Sequence, residues 1–161
     1  DIERFFPLLH ELIEEYPFLS EFFTSTNFSY SNWDNKILNY LNQFNKYKNR
    51  KFIFTLQLSC DGPHHINDLC RGNGTTERCL NNFNNFVNRI ENELPPNVDL
   101  NIVLKPTLSI ETLQFLKTKD DIIKYYQFFE ENFIHKIKVL GYQNLTMDVT
   151  IPNLAVPILA T

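Results

Sequence analysis

The sequence predicts an α/β protein with a parallel sheet, because strand-like runs alternate with helix-like stretches along the chain. The strand-like runs are short and rich in β-branched and aromatic residues, and each is followed by a polar or proline-containing turn. The stretches between them carry apolar residues at the spacing of an amphipathic helix. This order favours βαβ units with right-handed connections. The four predicted strands cover residues 22–28, 52–59, 98–105 and 146–151.

The helices are predicted from apolar periodicity and from their end signals. Ser31 or Asn32 is the expected N-cap of the second helix, and Pro95-Pro96 ends the third because proline cannot continue a helix. The segment between Ser59 and Arg71 is expected to be a loop. The predicted helices cover residues 2–16, 33–47, 77–93, 110–116 and 120–138. In the last of them, the residues expected to be buried are Ile122, Tyr126, Phe129, Phe133 and Ile137.

Composition limits the classes of function. The chain has 161 residues with no repeat or linker, so we expect a single α/β domain over residues 1–161. A net charge of −4 argues against nucleic acid as a partner, and no apolar run is long enough to cross a membrane. Three cysteines without a framework spacing favour a reducing compartment. We therefore expect a cytoplasmic protein with no membrane or nucleic-acid partner.

The segment at the end of the second strand is the most informative part of the sequence. An apolar run ending in Leu58 stops abruptly at Ser59-Cys60-Asp61-Gly62-Pro63, and Asn67, Asp68 and Arg71 follow within one short stretch. The carboxyl ends of parallel strands are where α/β sheets and barrels build their sites. Hydroxyl, carboxylate and guanidinium groups at this place indicate a binding site for a polar ligand.

This segment resembles the Ser-x-Asp-Gly-Pro element of radical S-adenosylmethionine (SAM) enzymes, in particular the branch of sulfatase-maturating and peptide-modifying members. The resemblance implies that the four strands are the third to sixth of a (β/α)6 partial TIM-type barrel. It also implies a SAM-binding portion of an enzyme that cleaves SAM at a [4Fe–4S] cluster to make a 5′-deoxyadenosyl radical. The implied partners are SAM, an unknown substrate for which this branch of the family favours a peptide or protein, and an electron donor such as flavodoxin or ferredoxin.

The cluster motif of that family is absent from the chain. The family holds its cluster with Cys-x3-Cys-x2-Cys, whereas Cys60, Cys70 and Cys79 are spaced Cys-x9-Cys-x8-Cys. The chain also begins at Asp1 rather than at a methionine. We therefore expect an internal piece of a longer radical SAM core, with the cluster ligands outside this chain. A homologue that never carried the cluster is the alternative.

The resemblance implies cofactor-binding roles for five residues. Ser59 corresponds to the strand-end serine that hydrogen-bonds SAM, and Arg71 to the arginine that pairs with the methionyl carboxylate. Asp61 lies between them, and Asn27 and Lys105 follow neighbouring strands and line the same cavity. No metal ligand and no catalytic residue is assigned.

Each of these residues also has a purely structural interpretation. Ser59 and Asp61 are common turn residues at a strand end, and Arg71 can form a surface salt bridge with Asp68 or Glu77. Two further functions stay open. One is a non-catalytic α/β binding module. The other is a metal-dependent hydrolase that uses Asp61, His64, His65 and Asp68, although adjacent histidines point in different directions.

Overall fold

The computed structural model describes the backbone of residues 2–139 and 145–147 and the side chains of residues 4–137. It confirms an α/β fold with a parallel sheet. The strands lie side by side in chain order, and every neighbouring pair is parallel. Among the described strands the first and the last each pair on one side only, so this sheet is open. The strands are β1 (Glu21–Thr26), β2 (Phe52–Leu58), β3 (Val98–Leu104) and β4 (Leu145–Met147).

The predicted helices are present with changes at their ends. The second continues from an α-helix into a 3₁₀ turn at Gln43–Tyr47, and the last contains a π-helical turn at Glu130–Ile134. Asn32 occupies the N-cap of the second helix in a left-handed conformation, without a capping side-chain hydrogen bond. The helices are α1 (Ile2–Glu15), α2 (Trp33–Asn42), α3 (His64–Arg71), α4 (Thr75–Glu93), α5 (Ile110–Leu113), α6 (Lys119–Phe129) and α7 (His135–Val139).

The core lies on one face of the sheet. Alternate residues of β2 and β3, such as Phe54 and Leu100, are buried, and they form one cluster with the inner faces of the helices. The Phe6 ring of α1 stacks on Phe54 with centroids 5.8 Å apart and on Tyr40 of α2 at 4.5 Å. Side chains of opposite alternation are exposed or half-buried. The described helices therefore cover one face, and none of them packs on the other.

Two details of the sequence prediction were wrong. The segment expected to be a loop after Pro63 is helix α3, which the sequence hides because only Ile66 and Leu69 are strongly apolar in it. Ile122 and Tyr126 were predicted to be buried but are 43% and 50% exposed, whereas Tyr125 is buried. The expected positions at Phe129, Phe133 and Ile137 are confirmed.

The fourth predicted strand is confirmed only in part. Residues 145–147 pair with β3 between Ile102 and Leu104. Residues 148–151 of the prediction lie outside the described residues. None of the described helices is both long enough and apolar enough to span a membrane.

Candidate functional site

The carboxyl edge of the sheet carries two separate groups of polar side chains. One group lies on the uncovered face of the sheet, and the other lies beyond the strand ends between α3 and α5. Four of the five residues predicted from the sequence divide between them, and the fifth, Asn27, lies in the turn after β1. Ser59 and Lys105 belong to the uncovered face by strand alternation, while Asp61 and Arg71 line a groove at the edge.

The uncovered face is organised in layers by the strand register. Phe23, Thr55 and Asn101 form one layer across β1, β2 and β3, and the next layer toward the carboxyl edge contains Ser25, Gln57 and Val103. Most of these side chains can donate and accept hydrogen bonds. Side chains that pack against a second helical layer would be predominantly apolar. The composition of this face therefore suits contact with water or a polar ligand.

Ser59 is part of a small hydrogen-bonded cluster on this face. Its hydroxyl oxygen is 3.4 Å from that of Ser25, and Gln57 Nε2 donates to Ser25 Oγ at 3.0 Å. The backbone N–H of Ser59 donates to the Thr26 carbonyl at 2.7 Å, which extends the β1–β2 pairing by one residue. Ser25 and Gln57 were not identified from the sequence. For Gln57 the signal was its alternation with buried Leu56 and Leu58, which points it to the same face as Ser59.

Asn27 and Lys105 flank this cluster. Asn27 is half-buried, and its side-chain oxygen accepts a hydrogen bond from the Ser29 N–H at 3.2 Å, which shapes the turn after β1. The backbone N–H of Lys105 donates to the Leu58 carbonyl at 2.9 Å, so Lys105 lies beside Ser59 in the register. Three of the predicted residues thus follow three neighbouring strands at one edge.

Asp61 and Arg71 form a bidentate ion pair in which the carboxylate is buried and the guanidinium is half-buried. Arg71 Nε donates to Asp61 Oδ2 at 2.6 Å, and Arg71 Nη2 donates to Asp61 Oδ1 at 2.9 Å. Burial opposes the charge on Arg71, but the hydrogen bonds and the charge of Asp61 outweigh it and raise the pKa of the guanidinium. The partner of Arg71 is therefore Asp61, rather than the Asp68 or Glu77 of the salt-bridge alternative. Two of its five N–H donors are used in this pair, and Nη1 makes no hydrogen bond to a described residue.

The carboxylate of Asp61 also joins two loops. Its Oδ1 accepts a hydrogen bond from the backbone N–H of Thr107, which follows β3, at 2.9 Å. Its own N–H donates to Asn67 Oδ1 in α3 at 2.9 Å. Asp61 thus ties the end of β2 to the end of β3 and to α3. This arrangement is a rigid frame at the strand ends, held by strong charge-assisted hydrogen bonds.

A second network holds α3 against the start of α4. Asn67 Nδ2 donates to Thr76 Oγ1 at 3.0 Å, and Thr76 Oγ1 donates to Asp68 Oδ1 at 2.6 Å. Asp68 also accepts backbone N–H bonds from Gly74 and Thr76, both at 2.8 Å. Although burial opposes ionisation, these hydrogen bonds prevail and lower the pKa of Asp68. The network fixes the α3–α4 loop, so it explains Asp68 structurally.

Gly62 allows α6 to approach the strand end closely. It has φ +137°, and a Cβ there would lie 2.7 Å from Cε2 of the Tyr125 ring. Tyr125 is 3% exposed and its hydroxyl has no hydrogen-bond partner among the described residues. Burial, followed by the negative charge of Asp61, raises the pKa of Tyr125. The phenol is therefore neutral, and its ring packs against Gly62 at the end of β2.

The cysteines of this chain do not fit a [4Fe–4S] cluster. Cys60 and Cys79 are buried while Cys70 is exposed. A thiol–thiol hydrogen bond from Cys60, together with burial, raises the pKa of Cys79 well above its usual range. Cluster ligands are thiolates, so a buried thiol with a raised pKa is a poor ligand.

The metal-hydrolase alternative is not supported by the arrangement of its four residues. Asp61 is engaged by Arg71, and the exposed His65 ring packs against Phe115 with centroids 5.1 Å apart. His64 Nδ1 is 3.8 Å from Asp68 Oδ2. Within residues 4–137 no three histidine, cysteine or acidic side chains lie together as metal ligands would.

The chain has no significant match among family models, curated proteins or solved structures. The resemblance to radical SAM enzymes therefore remains a hypothesis that rests on the residues of one segment.

Proposed function

We propose that this chain is the SAM-binding portion of a radical SAM enzyme. The observation that carries the proposal is the uncovered polar face of the sheet, with Ser59 at its carboxyl edge. The Ser-x-Asp-Gly-Pro segment supplies Ser59, and the frame built by Asp61 and Arg71 holds the end of β2 in place. In such enzymes the cofactors together supply a 5′-deoxyadenosyl radical that abstracts a hydrogen atom from the substrate.

The strand order supports a barrel rather than a doubly wound sheet. Right-handed βαβ units place all helices on one face when the strands follow each other in chain order. The described strands have this order, and their helices share one face. We infer that the four strands are part of a (β/α)6 partial TIM-type barrel, whose interior is the uncovered face. In barrels of this kind, ligands bind at the carboxyl ends of the strands.

SAM fits the uncovered face because hydroxyl and amide groups there can meet its ribose and amino-acid ends. We assign Ser59 as a contact to SAM, with Asn27 and Lys105 on the neighbouring strands. Gln57 and Ser25 position the Ser59 hydroxyl through the hydrogen-bonded cluster. The role of the chain is to orient SAM and to keep water away from the reacting atoms.

Arg71 has a different role in this proposal from the one the resemblance implies. Its Nε–Nη2 edge binds Asp61, so the charge of the guanidinium is already balanced before a methionyl carboxylate approaches. We therefore propose Arg71 and Asp61 as positioning residues that hold the strand ends. The cluster ligands lie outside this chain, and the expected partners are an unidentified substrate and an electron donor such as flavodoxin or ferredoxin in the cytoplasm.

Binding of SAM to the purified chain tests the proposal. Replacing Ser59 by alanine removes one hydrogen bond, which lowers affinity about three- to tenfold. Ser20→Ala is the matched control, because Ser20 precedes β1 at the opposite end of the sheet. Isothermal titration should show weaker binding for Ser59→Ala and no change for Ser20→Ala. Equal affinity in both variants, or no binding by the wild-type chain, contradicts the proposal.

A non-catalytic α/β binding module is the second candidate. It is favoured by the cysteine arrangement, because the described residues offer no cluster site of their own. Such a module would bind a ligand on the same face without needing an iron–sulfur segment elsewhere. The coding sequence upstream of Asp1 separates the two candidates.

A further inference from the structure

The edge groove is separate from the proposed SAM-binding face. It has a volume of about 450 Å³ and lies between α3 and the start of α5. Neither Ser59 nor any other member of the hydrogen-bonded cluster lines it. Its lining residues are Asp61, Leu69, Cys70, Arg71, Thr107, Ser109 and Glu111.

The groove carries one negative charge that no side chain balances. Arg71 and Asp61 neutralise each other in their bidentate pair. Glu111 is exposed, and no described lysine, arginine or histidine forms an ion pair with it. Hydrogen bonds from its own backbone N–H and from the Ser109 hydroxyl lower the pKa of Glu111, so it is ionised at neutral pH. The electrostatics of the groove therefore favour a cationic ligand.

The other lining residues indicate which further chemical groups such a cationic ligand would carry. Leu69 is 59% exposed, so its side chain offers an apolar surface for a hydrocarbon stem. Arg71 Nη1 is a donor whose orientation is fixed, because the other two nitrogens of the guanidinium are bonded to Asp61. A fixed donor beside an apolar wall suits a peptide carbonyl. A lysine residue in a peptide combines all three groups: a cationic ammonium, a hydrocarbon stem and a peptide carbonyl.

We propose that this groove binds a lysine side chain of a peptide. The ammonium group pairs with Glu111, the stem packs on Leu69, and the peptide carbonyl accepts a hydrogen bond from Arg71. This site goes beyond the proposed function, because it needs neither SAM nor a cluster.

The alkylation rate of the Cys70 thiol measures whether the groove is occupied. It is exposed and its Sγ lies 3.7 Å from Ser109 Oγ, whereas Cys60 and Cys79 are buried. The rate of Cys70 alkylation by iodoacetamide should fall when Nα-acetyl-lysine methylamide fills the groove. Half-protection is expected at about 1 mM, since a ligand of about 14 non-hydrogen atoms with ordinary efficiency has an affinity near that value.

A ligand without the ammonium group and a protein variant without the carboxylate test whether the ion pair is responsible for the protection. Nα-acetyl-norleucine methylamide has the stem without the ammonium, and Glu111→Gln removes the carboxylate charge from the protein. Each should weaken protection about three- to fivefold, as expected for an exposed ion pair. Glu77→Gln is the control, because Glu77 is exposed on α4 and does not line the groove.

The outcomes separate this proposal from the proposed function. Protection that depends on the ammonium and on Glu111 supports the groove, whether or not the chain binds SAM. No protection at tens of millimolar, or equal protection by the norleucine compound, overturns it. Unchanged protection in Glu111→Gln overturns it as well, because a second, uncharged mode of binding would then account for the data.

Discussion

The two faces of the sheet have opposite chemistry although the same strands build them. On the helix-covered face, Phe22, Phe54 and Leu100 are 8%, 1% and 3% exposed and belong to a core rich in phenylalanine. On the uncovered face, Thr55, Gln57 and Asn101 are half-buried in the same register layers. A parallel sheet is normally buried on both faces. The difference teaches that one face is built for packing, whereas the other is more polar and can contact water or a polar ligand.

Two adjacent phenylalanines of β1 show the same difference between the faces within a single strand. Phe22 and Phe23 are neighbours in β1, yet Phe23 is 58% exposed on the open face. A second apolar layer over the open face would bury Phe23 and would favour valine or isoleucine at Thr55 and Asn101. The open face instead carries hydrogen-bonding groups at Thr55, Asn101 and Gln57, although Ile53 and Val103 on the same face are apolar. This pattern is typical of a cavity wall.

The largest expected effect is the difference in the free energy of unfolding between Phe22→Ala and Phe23→Ala. Phe22→Ala leaves a cavity in the core and should lower the free energy of unfolding by about 3 kcal/mol or more. Phe23→Ala should change it by less than about 1 kcal/mol, because that ring is mostly in water already. Urea denaturation of both variants measures the difference. Equal losses would mean that the two faces are equally covered.

The Asp61–Arg71 frame should be more sensitive than the open-face cluster beside it. Asp61→Asn leaves Arg71 without its charged partner and should cost about 2–3 kcal/mol, a value discounted because the guanidinium is 23% exposed. Ser59→Ala should cost about 0.5 kcal/mol, since the side chain is at an open edge. Urea denaturation again gives both values. A larger loss for Ser59→Ala than for Asp61→Asn would reverse the assigned roles.

A smaller effect on stability is expected when the pH is lowered, because His10 is buried on the covered face. His10 of α1 is buried, and its Nε2 has no partner among the described residues, while Tyr47 Oη lies 3.3 Å from Nδ1. Burial, and next the charge of Lys46, lowers the pKa of His10 below its ordinary 6.5. As the pH falls below that value, the unfolded chain binds the proton before the folded one. Stability is therefore complete above about pH 6.5 and decreases below it.

Denaturation midpoints between about pH 7 and pH 5 measure this dependence. His10→Gln should flatten the decrease, whereas His65→Gln, at an exposed site, should leave it unchanged. The carboxylates with lowered pKa values, such as Asp68, lose their contribution only at more acidic pH. A pH profile that is the same in wild type and His10→Gln would show that this histidine is not responsible.

The sequence predicted the strands and long helices because their apolar periodicity is strong. It missed α3, which has only eight residues and only Ile66 and Leu69 as strongly apolar positions, so its periodic signal is too short to recognise. The shift from Tyr126 to Tyr125 has a different cause: the absence of a side chain at Gly62 admits the Tyr125 ring. Such a contact between distant segments leaves no periodic signal in either of them.

The candidate site was predictable only in part, because its residues at strand ends follow from the strand pattern whereas its contacts through α3 do not. Ser59, Asn27 and Lys105 follow strands, so parallel pairing brings them to one edge. Asp61 and Arg71 were expected to share that cavity, but their pairing depends on the turn of α3 that carries Arg71 back to the strand end. Ser25 and Gln57 lie inside strands, where a polar residue on an alternating pattern is indistinguishable from an ordinary solvent-facing one.

The central claim is that the uncovered face is the inside of a radical SAM barrel. The most direct test is to determine the coding sequence upstream of the Asp1 codon. The account predicts a Cys-x3-Cys-x2-Cys loop after a strand, within roughly one domain length. A start codon directly before Asp1, with no cysteine loop, would contradict it and leave an α/β protein whose polar face binds something other than cluster-bound SAM.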